Sequence, residues 1–405
     1  MTLQSTQRSV QTPRLRPFAL AGLALACGQA MAMNGAQLGG YGIKNAGMGG
    51  ASIALPLDAS AAANNPAGMA FVPTSMVGNV VVFKGKSSFT AGPGRTLNDN
   101  TTQAGPEGGF NWVVNSQMTV GLTLSGAGAG ADYGEPLNSQ VTPSNLKSSQ
   151  KIADVIPSIS WKINPNLAVG LGVIFSFQEF EAQGVIAPIG GGVYVPLTNH
   201  GKEKANGVGA RIGLQWNATP DISLGATYKS RTSMSKLGKY GDAGNLLAYS
   251  EGKVDIPSEY GIGLAWKASP SVTLAADFLE VQYSDVTVMK NPGGQMWKDQ
   301  PIWRLGAAWE MNPTWTLRGG LSGNQRQISS DRTLQNILSP AINNVAYTFG
   351  ASMKLDPKSD ISFSMEHNPS QTLNGTGPAA TTGSSLGTNI TSKTQVIRVG
   401  FQMQF

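Results

Sequence analysis

From about residue 75 onward, apolar and polar positions alternate along the chain with a period of two. In residues 207–216 (GVGARIGLQW), Val208, Ala210, Ile212, Leu214 and Trp216 share one face. Gly207, Gly209, Arg211, Gly213 and Gln215 share the other. The division recurs in 259–267, where Tyr260, Ile262, Leu264 and Trp266 oppose Glu259, Gly261, Gly263 and Lys267. It recurs again with Trp303, Leu305, Ala307 and Trp309 against Arg304, Gly306, Ala308 and Glu310, and with Ile397, Val399, Phe401 and Met403 against Arg398, Gly400 and Gln402. Such alternation marks strands with one apolar and one polar face. The pattern predicts fourteen of them, at 77–86, 106–114, 117–126, 151–163, 167–181, 204–217, 221–232, 253–267, 271–284, 301–311, 314–324, 344–355, 359–367 and 394–405.

A sandwich would alternate too, so the turns decide between architectures. Proline turns at Asn164-Pro165-Asn166, Thr219-Pro220-Asp221, Ser269-Pro270-Ser271, Asn312-Pro313-Thr314 and Asp356-Pro357-Lys358 recur every 43 to 55 residues. Four have a tryptophan four residues upstream of the proline (Trp161, Trp216, Trp266 and Trp309), and Trp112 stands in the same relation to a proline-free turn at 115–117. All five lie on the apolar face. Indole prefers the membrane–water interface, so these tryptophans predict an interface girdle around one rim of a closed sheet. Long polar stretches occupy the opposite side of each hairpin. Short turns at one end, long loops at the other and an even strand count predict an all-β, fourteen-stranded antiparallel transmembrane β-barrel. The final alternating aromatics, ending at Phe405, fit an outer-membrane insertion signal.

Composition narrows the class further. Charged residues make up 13% of the chain, about half the usual share of a soluble domain. Glycine contributes 51 of 405 residues. No apolar run reaches the length of a transmembrane helix. Arg8, Arg14 and Arg16, the apolar run 18–27 and the small residues Ala30-Met31-Ala32 predict a secretory signal over residues 1–32. The single cysteine, Cys27, lies inside it, with lipidation as the alternative reading. Without the signal arginines the formal net charge falls from +6 to +3, and nothing points to nucleic acid.

With the apolar face turned to lipid, the strand charges line the lumen. Most read as a network of paired charges bracing the barrel. Arg211, Arg304, Arg318 and Arg398 are the candidate lumenal cations for an acidic ligand. Catalysis has little to work with: His200 and His367 flank loops without an obvious nucleophile and acid, no metal-ligand spacing occurs, and no cofactor is expected.

Residues 33–75 do not alternate and are rich in Gly and Ala, with helical potential near Ser60 to Ala63. A segment of this size preceding the first strand reads as a hatch that plugs the bore, leaving 76–405 as the barrel. Its residues Asn65, Pro66, Ala67 and Gly68, in the run Asn64-Asn65-Pro66-Ala67-Gly68-Met69 after Gly47-Met48-Gly49-Gly50 and Asp58, resemble the hatch motif of the long-chain fatty-acid and hydrophobic-compound transporters of the outer membrane (FadL/TodX-type). The resemblance implies a monomeric barrel in a Gram-negative outer membrane that imports fatty acids or aromatic hydrocarbons passively. Ligand would enter from the outer loops and leave sideways into the lipid past a kink in the third strand. Gly126, Gly128 and Gly130 are the candidates for that lateral-gate kink, and Leu246, Leu247, Ile337 and Leu338 for an apolar landing groove. A general diffusion porin and a lipid-acting enzyme are the competing readings.

Overall fold

The structure, a computed structural model, describes residues 39–91, 95–190, 193–377 and 384–405. The expected signal and residues 33–38 of the expected hatch lie outside them. Fourteen strands form the wall: β1 (Ser75–Ala91), β2 (Thr102–Val113), β3 (Met118–Asp132), β4 (Lys147–Asn164), β5 (Leu167–Gln183), β6 (Glu203–Asn217), β7 (Ile222–Lys229), β8 (Glu259–Ser269), β9 (Val272–Val281), β10 (Gln300–Glu310), β11 (Trp315–Asn324), β12 (Val345–Asp356), β13 (Ser359–Asn374) and β14 (Thr388–Gln404). Each pairs antiparallel with its sequence neighbours, and β14 pairs with β1 from Ser75↔Gln404 to Ala91↔Thr388. The ring is therefore closed around the full circuit of strands. Among the described residues, no helix is long and apolar enough to cross a membrane; the chain crosses by strands.

The two faces sort as the alternation predicts. Val80, Val208, Ile262, Tyr347 and Val399 stand out from the wall, each more than half exposed, while their neighbours Asn79, Arg211, Thr227, Glu366 and Arg398 are buried inside it. The short turns explain their own sequence. Proline presets the φ of a turn's second residue, and an Asn, Asp or Thr before it accepts backbone N–H groups further on. Asn312 Oδ1 accepts from Thr314 N and Trp315 N, each at 2.9 Å, and Asn164 Oδ1 from Asn166 N at 2.9 Å. Asn115 does the same without proline, accepting from Gln117 N and Met118 N.

At the long-loop end β7, β8 and β9 fall short of the pattern, with β7 ending at Lys229 rather than 232, β8 starting at Glu259 rather than 253 and β9 ending at Val281 rather than 284, while other strands outrun it. β3 continues to Asp132 rather than 126, β13 to Asn374 rather than 367, and β14 starts at Thr388 rather than 394. The loops there fold over the bore and bury their own apolar core, with Phe89, Leu97, Tyr133, Leu146, Tyr283, Trp297 and Ile342 in one cluster. Residues 39–74 run along the inward faces of the strands. They hold one helical turn (Ile43–Ala46) and two 3₁₀ turns (Ala61–Ala63 and Pro66–Phe71), and their side chains are almost all buried.

Candidate functional site

The N-terminal segment is seated by its own motif. Pro66 opens the 3₁₀ turn, where a missing N–H costs nothing, and Asn65 caps it by accepting from Ala67 N at 3.1 Å. The Asn65 amide then reaches the wall, donating to Leu214 O at 3.0 Å, and back to the segment at Ile53 O, 2.8 Å. Ala67 is fully buried, and Ser160 on β4 donates to its carbonyl at 3.1 Å. Gly68 sits where a Cβ would lie 2.9 Å from Pro56 Cβ.

Wall glycines make the room. A Cβ on Gly213 would fall on Asn65 Oδ1, and one on Gly320 on the backbone of Met48 and Gly49. The segment replies with Gly49 and Gly50 in the left-handed region (φ +68° and +83°), which lets its backbone turn flat against β10 and β11. The glycines that share a face with the lumenal charges thus mark the segment's footprint, a signal the sequence carries but that reads at first only as high glycine content.

Charges tie the segment down around much of the ring. Lys44 Nζ lies 2.7 Å from both Asp360 Oδ2 and Gln402 Oε1. Glu107 Oε1 accepts from Gly42 N at 2.5 Å, and Asp277 Oδ2 accepts from Ser52 N and Ile53 N at 2.7 and 3.1 Å. The four arginines singled out from parity are all turned inward and buried. Arg211 donates to Asn64 O at 2.9 Å and pairs with Glu259 at 3.2 Å. Arg304 donates to Gly50 O at 3.3 Å, and Arg318 to Ser352 Oγ at 2.6 Å. Arg398 donates to Gly40 O at 3.3 Å and lies 3.4 Å from Glu107 Oε2.

The seam between β2 and β3 is interrupted over a long stretch. β2 and β3 pair only from Val113↔Thr119 up to Gly108↔Leu124. Above that pair β2 bonds only to β1, and β3 from Ser125 to Asp132 bonds only to β4. Pro106, two residues above the last β2–β3 pair, has no N–H to extend the ladder. The seam closes again at the top, where Asp132 N donates to Asp99 Oδ1 at 3.2 Å. Residues 125–131 of β3 lose the alternation and are buried on both faces. Gly126, Gly128 and Gly130 all lie in this stretch, and a Cβ on Gly130 would meet Ser148 O of β4.

Two cavities flank the seam strand. The outer one, about 120 Å³, is walled by Phe180, Leu246, Leu247, Met289, Trp297 and Leu338, and among the described residues no charged side chain lines it. The inner one, about 30 Å³, lies between Phe83, Asp99, Gly130 and Asn343. The two share Ala129 and Ser339 as a common partition. Three of the four loop residues expected to form an apolar groove therefore face one chamber, while Ile337 is buried in the loop core beside it.

Trp112, Trp161, Trp216, Trp266 and Trp309 all project outward near the short-turn rim, each about half exposed. His200 packs edge-on to Tyr240, and His367 Nδ1 lies 3.4 Å from Gln395 Nε2. Among the described residues no group of three His, Cys, Asp or Glu is placed to hold a metal.

Solved structures share this architecture. The Pseudomonas putida toluene transporter TodX superposes with a TM-score of 0.71 at 18% identity, covering 91% of this chain and 99% of that one. A Pseudomonas aeruginosa FadL homologue gives 0.70 at 17% identity (92% and 100% covered), and the Ralstonia pickettii toluene transporter TbuX gives 0.65 at 17% (91% and 99%). None of the curated proteins matches the chain in sequence. The model of one family, described as outer membrane protein transport protein (OMPP1/FadL/TodX), matches residues 20–405. A closed fourteen-stranded wall, an inward-bonded N-terminal segment and that match together make this chain a member of the OMPP1/FadL/TodX family of outer-membrane transport proteins.

Proposed function

We propose that the protein is a passive channel for small, neutral hydrophobic compounds of the size of one aromatic ring. Ligand enters from the outer loops, rests in the chamber behind Leu247 and Met289, and passes Ala129 and Ser339 to leave sideways through the β2–β3 seam into the membrane. Residues 33–75 act as the hatch that keeps the bore shut to water and ions, and the girdle tryptophans fix the barrel's height in the bilayer.

The observation that carries this reading is the uncharged outer chamber abutting the unpaired stretch of β3. A cavity on the order of 100–150 Å³ with apolar walls is large enough for a benzene ring. An apolar solute gains by moving from such a cavity directly into hydrocarbon, whereas a water-filled bore offers it nothing. The absence of a cation from the chamber lining favours aromatic hydrocarbons over carboxylates. The arginines are better placed as latches, since three of the four bond carbonyls of the N-terminal segment. The toluene transporters among the structural relatives fit this choice of substrate.

The test is uptake of radiolabelled toluene and oleate by cells expressing the protein, its Ala129→Trp variant, or neither. Toluene uptake above background that Ala129→Trp abolishes, with the barrel still folded, is the expected result. Equal toluene uptake by wild type and variant would overturn the seam route. Uptake of oleate alone would overturn the choice of substrate.

A further inference from the structure

On the outside of the wall, the outward charges divide unevenly. Around β4 to β6 the cations at the long-loop end face carboxylates: Lys147 lies 3.6 Å from Glu181, Lys151 3.9 Å from Glu179, Lys202, just before β6, 3.1 Å from Glu179, and Lys204 stands directly opposite Glu179 in the ladder. On β14 and β1, among the described residues, they have none. Lys84 and Lys86 of β1 and Lys393 of β14 are exposed on the outward face, and Lys86 stands directly opposite Lys393 in the ladder. Like charges in directly opposed positions destabilise a sheet pair. The nearest carboxylates in sequence, Asp99, Glu107 and Glu366, all point into the barrel, each no more than 4% exposed. From Lys358 to the end of the chain, Asp360 and Glu366 are the only acidic residues, and both are inward.

The height of the cluster says what it meets. Met76 lies near the tryptophan rim, and Lys84 and Lys86 are eight and ten residues above it. At a rise of about 3.3 Å per residue and a tilt of about 40°, this places them roughly 20 and 25 Å higher, where an apolar band about 25 Å tall ends. Val80 and Val82 on β1, and Ile397 and Val399 on β14, fill the band below. The long-loop end of such barrels faces the cell exterior. Three ammonium groups on two hydrogen-bonded strands thus sit at the headgroup level of the outer leaflet.

We infer that Lys84, Lys86 and Lys393 form a docking site for the phosphate groups of an anionic glycolipid of the outer leaflet, whose acyl chains lie against the apolar face of β14 and β1 below. Lys84 pairs across the ladder with Thr102 of β2, so the docked lipid stands one strand from the seam. The inference is independent of what the channel carries.

The full protein is placed in nanodiscs of phosphatidylcholine with and without bisphosphorylated lipid A, and bound lipid A is quantified by native mass spectrometry. Each lysine at the surface contributes about fivefold to anionic-lipid affinity, so Lys84→Gln/Lys86→Gln/Lys393→Gln should weaken lipid A binding on the order of a hundredfold. The triple Lys→Arg variant should retain it, and Lys147→Gln/Lys151→Gln, which removes already paired lysines, should leave it unchanged. The melting midpoint in phosphatidylcholine alone verifies that each variant is folded. Wild-type lipid A binding in the triple Gln variant would overturn the site. Equal competition by inorganic phosphate would overturn the lipid as its ligand.

Discussion

Arg398 and Glu107 lie on strands that are not neighbours, yet Arg398 Nε and Glu107 Oε2 are 3.4 Å apart, with both side chains shut off from solvent. They bridge β14 to β2 across the inner face of β1. Each also holds the N-terminal segment, Arg398 through Gly40 O and Glu107 through Gly42 N. Removing one member strands the other as a buried, unpaired charge, which costs about 3–5 kcal/mol. Arg398→Ala should therefore release the start of the segment while the wall persists. Single-channel recording in planar bilayers should show an open-state ion conductance that wild type lacks.

The glycine footprint makes a second prediction by the same readout. Gly213→Val places a side chain on Asn65 Oδ1 and should lift the segment's capped turn, raising the baseline conductance. Gly78→Ala, on the outward face of β1 with nothing within 4 Å of the new Cβ, should leave it at the wild-type level.

Asp58 supplies a pH dependence. Burial, the largest influence, raises its pKa above the ordinary carboxylate range, against the opposing pull of Lys44 and the N–H of Ser60. An acid whose folded pKa is raised favours the packed state at low pH and loses that contribution as pH climbs through the raised value. The segment should thus hold more tightly in mild acid and become more accessible to protease as pH rises. Asp58→Asn should flatten that profile.

The lipid-facing assignment is checked on β1. Val80 lies midway between Met76 and Lys84 and is 56% exposed on the outward face. Arginine at the bilayer midplane costs about 2–4 kcal/mol, so Val80→Arg should lower unfolding stability in vesicles by that amount. A soluble protein would show almost no loss for the same surface exchange.

Much of this was legible in the residues because two solvents act on the wall. Where lipid lies on one side and the packed bore on the other, as at Val208 to Trp216, side chains must alternate, and every wall strand was found this way. Where that contrast vanishes, so does the signal. Residues 125–131 of β3 are buried on both faces, so the alternation ends the strand at Gly126 and leaves Gly128 and Gly130 beyond it, although the strand runs through them to Asp132. The upper part of β14 turns its one apolar residue, Ile390, inward and carries Asn389, Thr391 and Lys393 outward, so the lipid-facing signal is absent there and the pattern starts the strand only at 394. The interrupted β2–β3 seam has a local marker in Pro106, but a single proline carries no message until its ladder partner is known. The arginines were correctly turned inward by parity. What parity could not give is that Arg398, Arg304 and Arg211 also bond the carbonyls of Gly40, Gly50 and Asn64, since backbone oxygens leave no trace in a sequence.

The seat of the N-terminal segment has one further consequence, for biogenesis. Its contacts include Glu107 on β2 and Gln402 on β14, near the two ends of the barrel's sequence. Residues 39–74, made before any wall strand, therefore have no complete binding surface until the last strand has zipped against the first. Settling of residues 39–74 must be the closing act of assembly, and a nascent barrel halted before β14 inserts would lack the Gln402 contact that helps to seat them.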